Sequence, residues 1–246
     1  MVKHVEIVND QGRILRGYYT EPEDFNGDVV VMFHGFTGNK TEHAGHFRNF
    51  SRILAENSCA SLRMDFSGNG ESDGEFRDFT YDTMLPEAFK IIEYARSVKG
   101  FKRLFLLGFS MGGALAATVS GMIPEKIDKL ILWSPAGDMP EMLREDFENG
   151  EKLENGNALY ANFEISKEMY ESALKWHTFE NLDKFENNVL LIHGREDKAV
   201  PYLYSARYAV SFKNSHLYII DDAGHGYDPI DQRKKLYDYS LEFIKN

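Results

Sequence analysis

Residues 108–112 read Gly-Phe-Ser-Met-Gly, after the apolar run 104–107 and before Gly113-Ala114-Leu115-Ala116-Ala117. A serine in that setting sits where a strand turns sharply into a helix. The turn exposes the hydroxyl on a strained backbone, and side chains two positions either way would clash, hence glycine. The helix N-terminus behind it favours developing negative charge. Ser110 is the expected nucleophile.

A serine hydroxyl at neutral pH needs a base within hydrogen-bond reach. Of eight histidines, His225 lies in Asp221-Asp222-Ala223-Gly224-His225-Gly226, a polar loop just after the last strand-like run. Glycines on both sides let that loop present the imidazole. His34 and His193 each end an apolar run and read as structural. The acid that orients the base should end the preceding strand, 189–193, which leads into Gly194-Arg195-Glu196-Asp197-Lys198. Asp197 is the choice from spacing, with Glu196 open as the competitor, since either carboxylate serves. The order Ser, Asp, His along the chain distinguishes this arrangement from other serine-nucleophile folds.

A tetrahedral intermediate needs two backbone N–H donors. The expected donors are Met111, after the nucleophile, and Phe36, in the loop His34-Gly35-Phe36-Thr37-Gly38.

Positioning these groups requires strands delivered to one edge. Strand-like runs recur at 3–9, 13–20, 28–33, 59–64, 103–109, 128–133, 188–193 and 215–220. Helical periodicity falls at 43–57, 81–98, 112–122, 202–212 and 230–244. The continuous apolarity of Val29-Val30-Val31-Met32-Phe33 marks a strand buried on both faces. Alternating strands and helices predict βαβ crossovers and a mostly parallel sheet. More than fifty residues separate the strand ending near Ser134 from that starting at Val189, with a helical pattern at 167–177. A connection that long reads as a cap. The expected division is a core of 1–134 and 187–246 with a cap at 135–186.

HGFTG, DFSGNGESDG, GFSMGG, HGREDKAVP and AGHGYD occur in the order and approximate spacing of the α/β-hydrolase superfamily, which the chain resembles over almost its whole length. The resemblance implies an α/β fold with a mostly parallel sheet, helices on both faces and an inserted cap. It also places the acid at Asp197 rather than Glu196. Within the superfamily the chain looks most like small bacterial carboxylesterases, including feruloyl (cinnamoyl) esterases. It departs from many of these at the elbow, with Phe109-Ser110-Met111 in place of His-Ser-Gln. The implied activity is carboxylic-ester hydrolysis through an acyl-enzyme, on feruloyl, cinnamoyl or other short aryl or acyl esters. Monoacylglycerol lipase, thioesterase, peptidase and perhydrolase chemistry are the alternatives. A non-catalytic receptor on this fold is the distant one, because such receptors often lose triad members and all three are present.

The net charge of −11 over 246 residues argues against phosphate-backbone binding and so against a nucleic-acid partner. Cys59 is the single cysteine, so no intrachain disulfide or cysteine-based metal site is expected. No dinucleotide loop, P-loop or metal cluster accompanies the site, and neither cofactor nor metal is expected. The start of the chain lacks a signal-peptide core and no segment has the length of a membrane span; a cytoplasmic location is the default. The expected partner is a small-molecule ester, and a homo-oligomer stays open. Seven acidic residues between Asp138 and Glu154 read as a solvated helix face. The cap aromatics, Tyr170 and Trp176 among them, are candidates to clasp an apolar acyl group.

Overall fold

The computed structural model describes residues 1–246. Eight strands form one sheet in the order β1-β2-β4-β3-β5-β6-β10-β11. These are β1 (Val2–Val8), β2 (Ile14–Thr20), β3 (Asp28–Phe33), β4 (Ala60–Met64), β5 (Arg103–Phe109), β6 (Lys129–Trp133), β10 (Val189–Gly194) and β11 (Ser215–Ile220). β1 and β2 form an antiparallel hairpin whose turn is closed by Asn9, its side-chain oxygen accepting from the Gln11 and Arg13 amides, both at 2.9 Å. From β4 to β11 every neighbouring pair is parallel. This is the mostly parallel sheet that the strand–helix alternation predicts.

The strands' alternation divides the interior in two. Val29, Val31 and Phe33 of β3 join a large core beneath α2 (Tyr81–Arg96), α3 (Met111–Met122) and α6 (Leu203–Ser211), while Val30 and Met32 face a smaller one under α1 (His46–Glu56) and α7 (Ile230–Lys245). Successive side chains of a strand point to opposite faces, so a strand covered on both sides must be apolar throughout. All six residues of β3 are buried. Thr80 caps α2 reciprocally with Thr83.

Residues 134–188 leave β6 and return to β10. They form α4 (Met139–Asn149), the short strands β7 (Glu151–Lys152), β8 (Ala158–Tyr160) and β9 (Phe163–Ile165), paired as a small antiparallel sheet, and α5 (Lys167–Ala173). The helix read at 167–177 thus stops at Ala173, and Trp176 lies in the turn beyond it. Met139, Leu143, Ile165, Met169, Ala173 and Trp176 merge into the larger core. This segment is therefore packed onto the α2–α3 face by apolar burial. The acidic face of α4 is solvated, with Arg144 pairing to Glu141 at 2.9 Å and to Glu148 at 2.7 Å. No helix is long and apolar enough to cross a membrane.

Candidate active site

Ser110 stands between β5 and α3 with φ 55° and ψ −121°, a backbone conformation that costs a non-glycine residue on the order of 1–3 kcal/mol. Close packing explains the two glycines of the elbow. A Cβ at Gly108 would fall 2.1 Å from the Gly112 carbonyl oxygen, and one at Gly112 would fall 2.1 Å from that of Phe33. The strand end and helix start thus touch backbone to backbone, and the serine hydroxyl is forced outward.

Asp197 and His225 meet across two loops. His225 Nδ1 donates to Asp197 Oδ2 at 2.6 Å, which leaves Nε2 free to accept a proton. The Asp197 carboxylate is fully buried. Its Oδ1 accepts from the Ala199 and Val200 amides at 2.9 and 2.8 Å, and its Oδ2 accepts also from His193 Nε2 at 3.0 Å. Burial by itself would raise this carboxyl's pKa. The hydrogen bonds from His193 and His225, the charge of His225 and the Val200 amide outweigh it and hold the group well below the usual carboxylate range. Glu196, by contrast, is exposed.

Ser110 and His225 line one cleft of about 490 Å³, together with Gly35, Phe36, Asn39, Glu42, His43 and Asp228. The Phe109 ring packs against the His225 imidazole, centroids 4.9 Å apart. No hydrogen bond joins Ser110 to His225; in serine hydrolases such contacts commonly tighten in the Michaelis complex. The loop after β3 comes close to Ser110, since a Cβ at Gly35 would lie 3.3 Å from that of Ser110. No acceptor in the chain takes the Phe36 N–H, and the Met111 N–H heads α3, where no helical carbonyl precedes it. Both are free to face an oxyanion.

On its other side the site meets an apolar crevice under residues 139–176, walled by Phe36, Phe79, Tyr81, Met84, Met111, Leu143, Met169 and Trp176 and closed to about 10 Å³. Trp176 stacks on Tyr81 at 4.8 Å and donates its indole N–H to Thr118 Oγ1 at 2.8 Å. Tyr170 lies elsewhere: it stacks on Phe147, 6.1 Å away, and lines neither the crevice nor the cleft. No group of three or more His, Cys, Asp or Glu residues is arranged to hold a metal ion.

Sequence reasoning missed several contributors. Glu42, at φ 60°, accepts from the Gly35 amide at 2.7 Å and pins the loop that carries Phe36. Nothing in its spacing announces this. His46 is fully buried and its Nε2–H donates to the Gly226 carbonyl at 2.7 Å, while Tyr237 donates to its Nδ1 at 2.7 Å. It thereby fixes the loop of His225. The glycines beside His225 do not supply left-handed backbone; Tyr227, at φ 47°, makes the turn. His193 is buried, as expected of a structural residue, yet it also touches Asp197. Its place four residues before Asp197 was the available signal.

Burial lowers the His46 pKa to about 4, and a pH prediction follows. As pH falls from about 6.5, the ordinary histidine value, the unfolded chain takes up this proton first and the native state resists until about 4. Stability should therefore drop over that window by about 3 kcal/mol from this residue. Urea unfolding at pH 7.5 and 5 should show the larger part of this loss in the wild type and a smaller one in His46→Gln.

A strained serine at a strand–helix elbow, a buried acid–histidine pair and two free amides, at the C-terminal edge of a mostly parallel sheet, define the α/β-hydrolase class. The chain belongs to the α/β-hydrolase family whose model is described as serine aminopeptidase, S33, which matches residues 26–153; a second, described as TAP-like protein, matches residues 161–233. It is a hydrolase. Among curated relatives, the 2-hydroxy-6-oxo-6-(2'-aminophenyl)hexa-2,4-dienoic acid hydrolase of Metapseudomonas resinovorans is 26% identical over 231 residues, 81% of this chain and 78% of that protein. The monoglyceride lipase of Homo sapiens is 28% identical over 135 residues, 52% of this chain and 42% of that one. Among solved structures, Est1E from Butyrivibrio proteoclasticus with ferulic acid bound superposes with a TM-score of 0.86 at 28% identity, covering 98% of this chain and 100% of that one.

Proposed function

We propose that the chain is a serine carboxylic-ester hydrolase. The observation that carries this reading is the Asp197–His225 hydrogen bond of 2.6 Å beside a strained serine in the same cleft. His225 Nε2 takes the Ser110 proton as Oγ attacks the ester carbonyl, and the Phe36 and Met111 amides hold the oxyanion. The imidazolium then protonates the departing alkoxide, giving the alcohol and an acyl-enzyme. Water, deprotonated by the same imidazole, attacks the acyl-enzyme to release the acid and Ser110.

The group that receives the proton must leave on the His225 side, so the alcohol occupies the polar cleft of Glu42, His43 and Asp228. The acyl group enters the apolar crevice, with residues 135–186 acting as its cap. The lining of the cleft includes no Lys or Arg, which disfavours the phosphates of an acyl-CoA. An aromatic or short acyl group suits the ring-lined crevice, in keeping with the ferulic acid bound by Est1E.

Hydrolysis should be profiled across 4-nitrophenyl esters of rising chain length, methyl ferulate, an acyl-CoA and an aminoacyl 4-nitroanilide. Short or aromatic esters should lead. A leading anilide would overturn the ester reading in favour of a peptidase, and a leading acyl-CoA would make the enzyme a thioesterase. Met169→Ala should widen the crevice and raise kcat/KM for bulkier acyl groups relative to acetate by roughly tenfold, the scale on which an apolar pocket discriminates. Equal change on every ester would remove the cap from the acyl site.

A further inference from the structure

We propose that His193 is a positioning residue for the acid: a second imidazole on Asp197 that sets how much of the carboxylate's charge is left for His225. The inference rests on the catalytic reading of Ser110, Asp197 and His225. Asp197 Oδ2 receives two imidazole nitrogens, His225 Nδ1 at 2.6 Å and His193 Nε2 at 3.0 Å, while Oδ1 is taken by two backbone amides. The tautomer of His193 follows from its partners. Its Nε2 also lies 3.0 Å from the Val200 carbonyl oxygen. Carboxylate and carbonyl oxygens only accept, so Nε2 carries a proton. Nδ1 lies 2.7 Å from Ser205 Oγ, and in the neutral ring the Ser205 hydroxyl donates to it. A serine on α6 thereby orients an imidazole at the end of β10, which orients the acid.

Both His193 and the Asp197 carboxylate are fully buried. In that low-dielectric setting hydrogen bonds are strong and mutually polarising. Two donors on one oxygen compete: the more density His193 withdraws, the less Oδ2 stabilises the His225 imidazolium. Few other charges intervene. Tyr227, from the His225 loop, donates its hydroxyl to the Ile192 carbonyl at 3.0 Å. Phe109 covers the face of His225, and His43 pairs with Asp228 at 2.6 Å at the cleft rim, where Glu42 also lies. His46 bonds the Gly226 carbonyl and the Tyr237 hydroxyl, not Asp197 or His225. Arg195 is turned to Asp221 at 2.5 Å, and no Lys or Arg forms an ion pair with Asp197.

The readout is the pKa of His225, followed by NMR titration of its imidazole in the resting protein, which needs no substrate. His193→Phe removes the competing donor and should raise it by about 0.5–1 unit. The acidic limb of kcat/KM should move to higher pH with it, while the plateau falls roughly tenfold because Asp197, one donor short, holds His225 less well aligned. His193→Gln, whose amide can still donate, should recover most of both. Ser205→Ala, which leaves every Asp197 contact in place, should shift the titration the same way by less, and it serves if His193→Phe does not fold. An unmoved His225 titration in folded His193→Phe, or in folded Ser205→Ala, would overturn the proposal and leave His193 as packing alone. Loss of ester hydrolysis by the wild type would instead refute the catalytic reading, with the titration still measurable.

Discussion

Replacing Ser110 by alanine should abolish ester hydrolysis while the fold remains. The serine side chain adds little to packing, and alanine relieves none of the elbow's close backbone contacts, so far-ultraviolet circular dichroism should be unchanged. Removing one member of a serine triad typically lowers kcat by roughly 10⁶. The remainder, about 10³–10⁴ over water, comes from the oxyanion donors and from binding. Substrate should still bind, so the loss falls on kcat and not on the dissociation constant. A fluorophosphonate should label the wild type at Ser110 and leave the variant unlabelled. Turnover within tenfold of wild type, or labelling at another serine, would refute the assignment.

Asp197→Asn should cost about 10⁴ in kcat, and Glu196→Gln next to nothing. The asymmetry follows from burial. Asp197 is enclosed with four hydrogen-bond donors aimed at its two oxygens, whereas Glu196 is exposed. An asparagine keeps the shape but can turn an N–H₂ toward His225, favouring the tautomer that cannot accept from Ser110. It also presents donor to donor against His193. The same site gives a stability effect of known sign. A carboxyl whose native pKa is depressed contributes stability above its unfolded value of about 3.9, and loses it as pH falls below that. Asp197→Asn should therefore be less stable than the wild type at pH 7, with the difference shrinking in acid. Equal kinetic losses at 196 and 197 would show that the loop, rather than the carboxylate, matters.

Residues close together in the chain made most of the catalytic candidates legible. The elbow at 108–112 declares itself because strand, turn, glycine spacing and helix are consecutive, and the same local signals yielded the parallel core strands and most helices. Asp197 needed more than spacing: the adjacent Glu196 fits the same strand end, and it is tertiary burial that separates the two. The small sheet of β7, β8 and β9 escaped prediction because strands of two or three residues carry no periodicity, whereas the acidic stretch read as a solvated helix face is α4.

Tyr170 and Trp176 look alike as sequence, two rings six residues apart in one insertion. Packing separates them, setting Trp176 into the wall of the crevice and Tyr170 against Phe147. Glu42, His46 and His193 bond to segments that folding brings to them, across seven residues to Gly35, one hundred and eighty to Gly226 and twelve to Ser205. The sequence by itself determined which residues could do the chemistry, because that depends on side-chain type and local turn geometry. The tertiary structure alone decided which buried groups hold them in place, because a hydrogen bond between distant segments exists only once the sheet has ordered their ends along one edge.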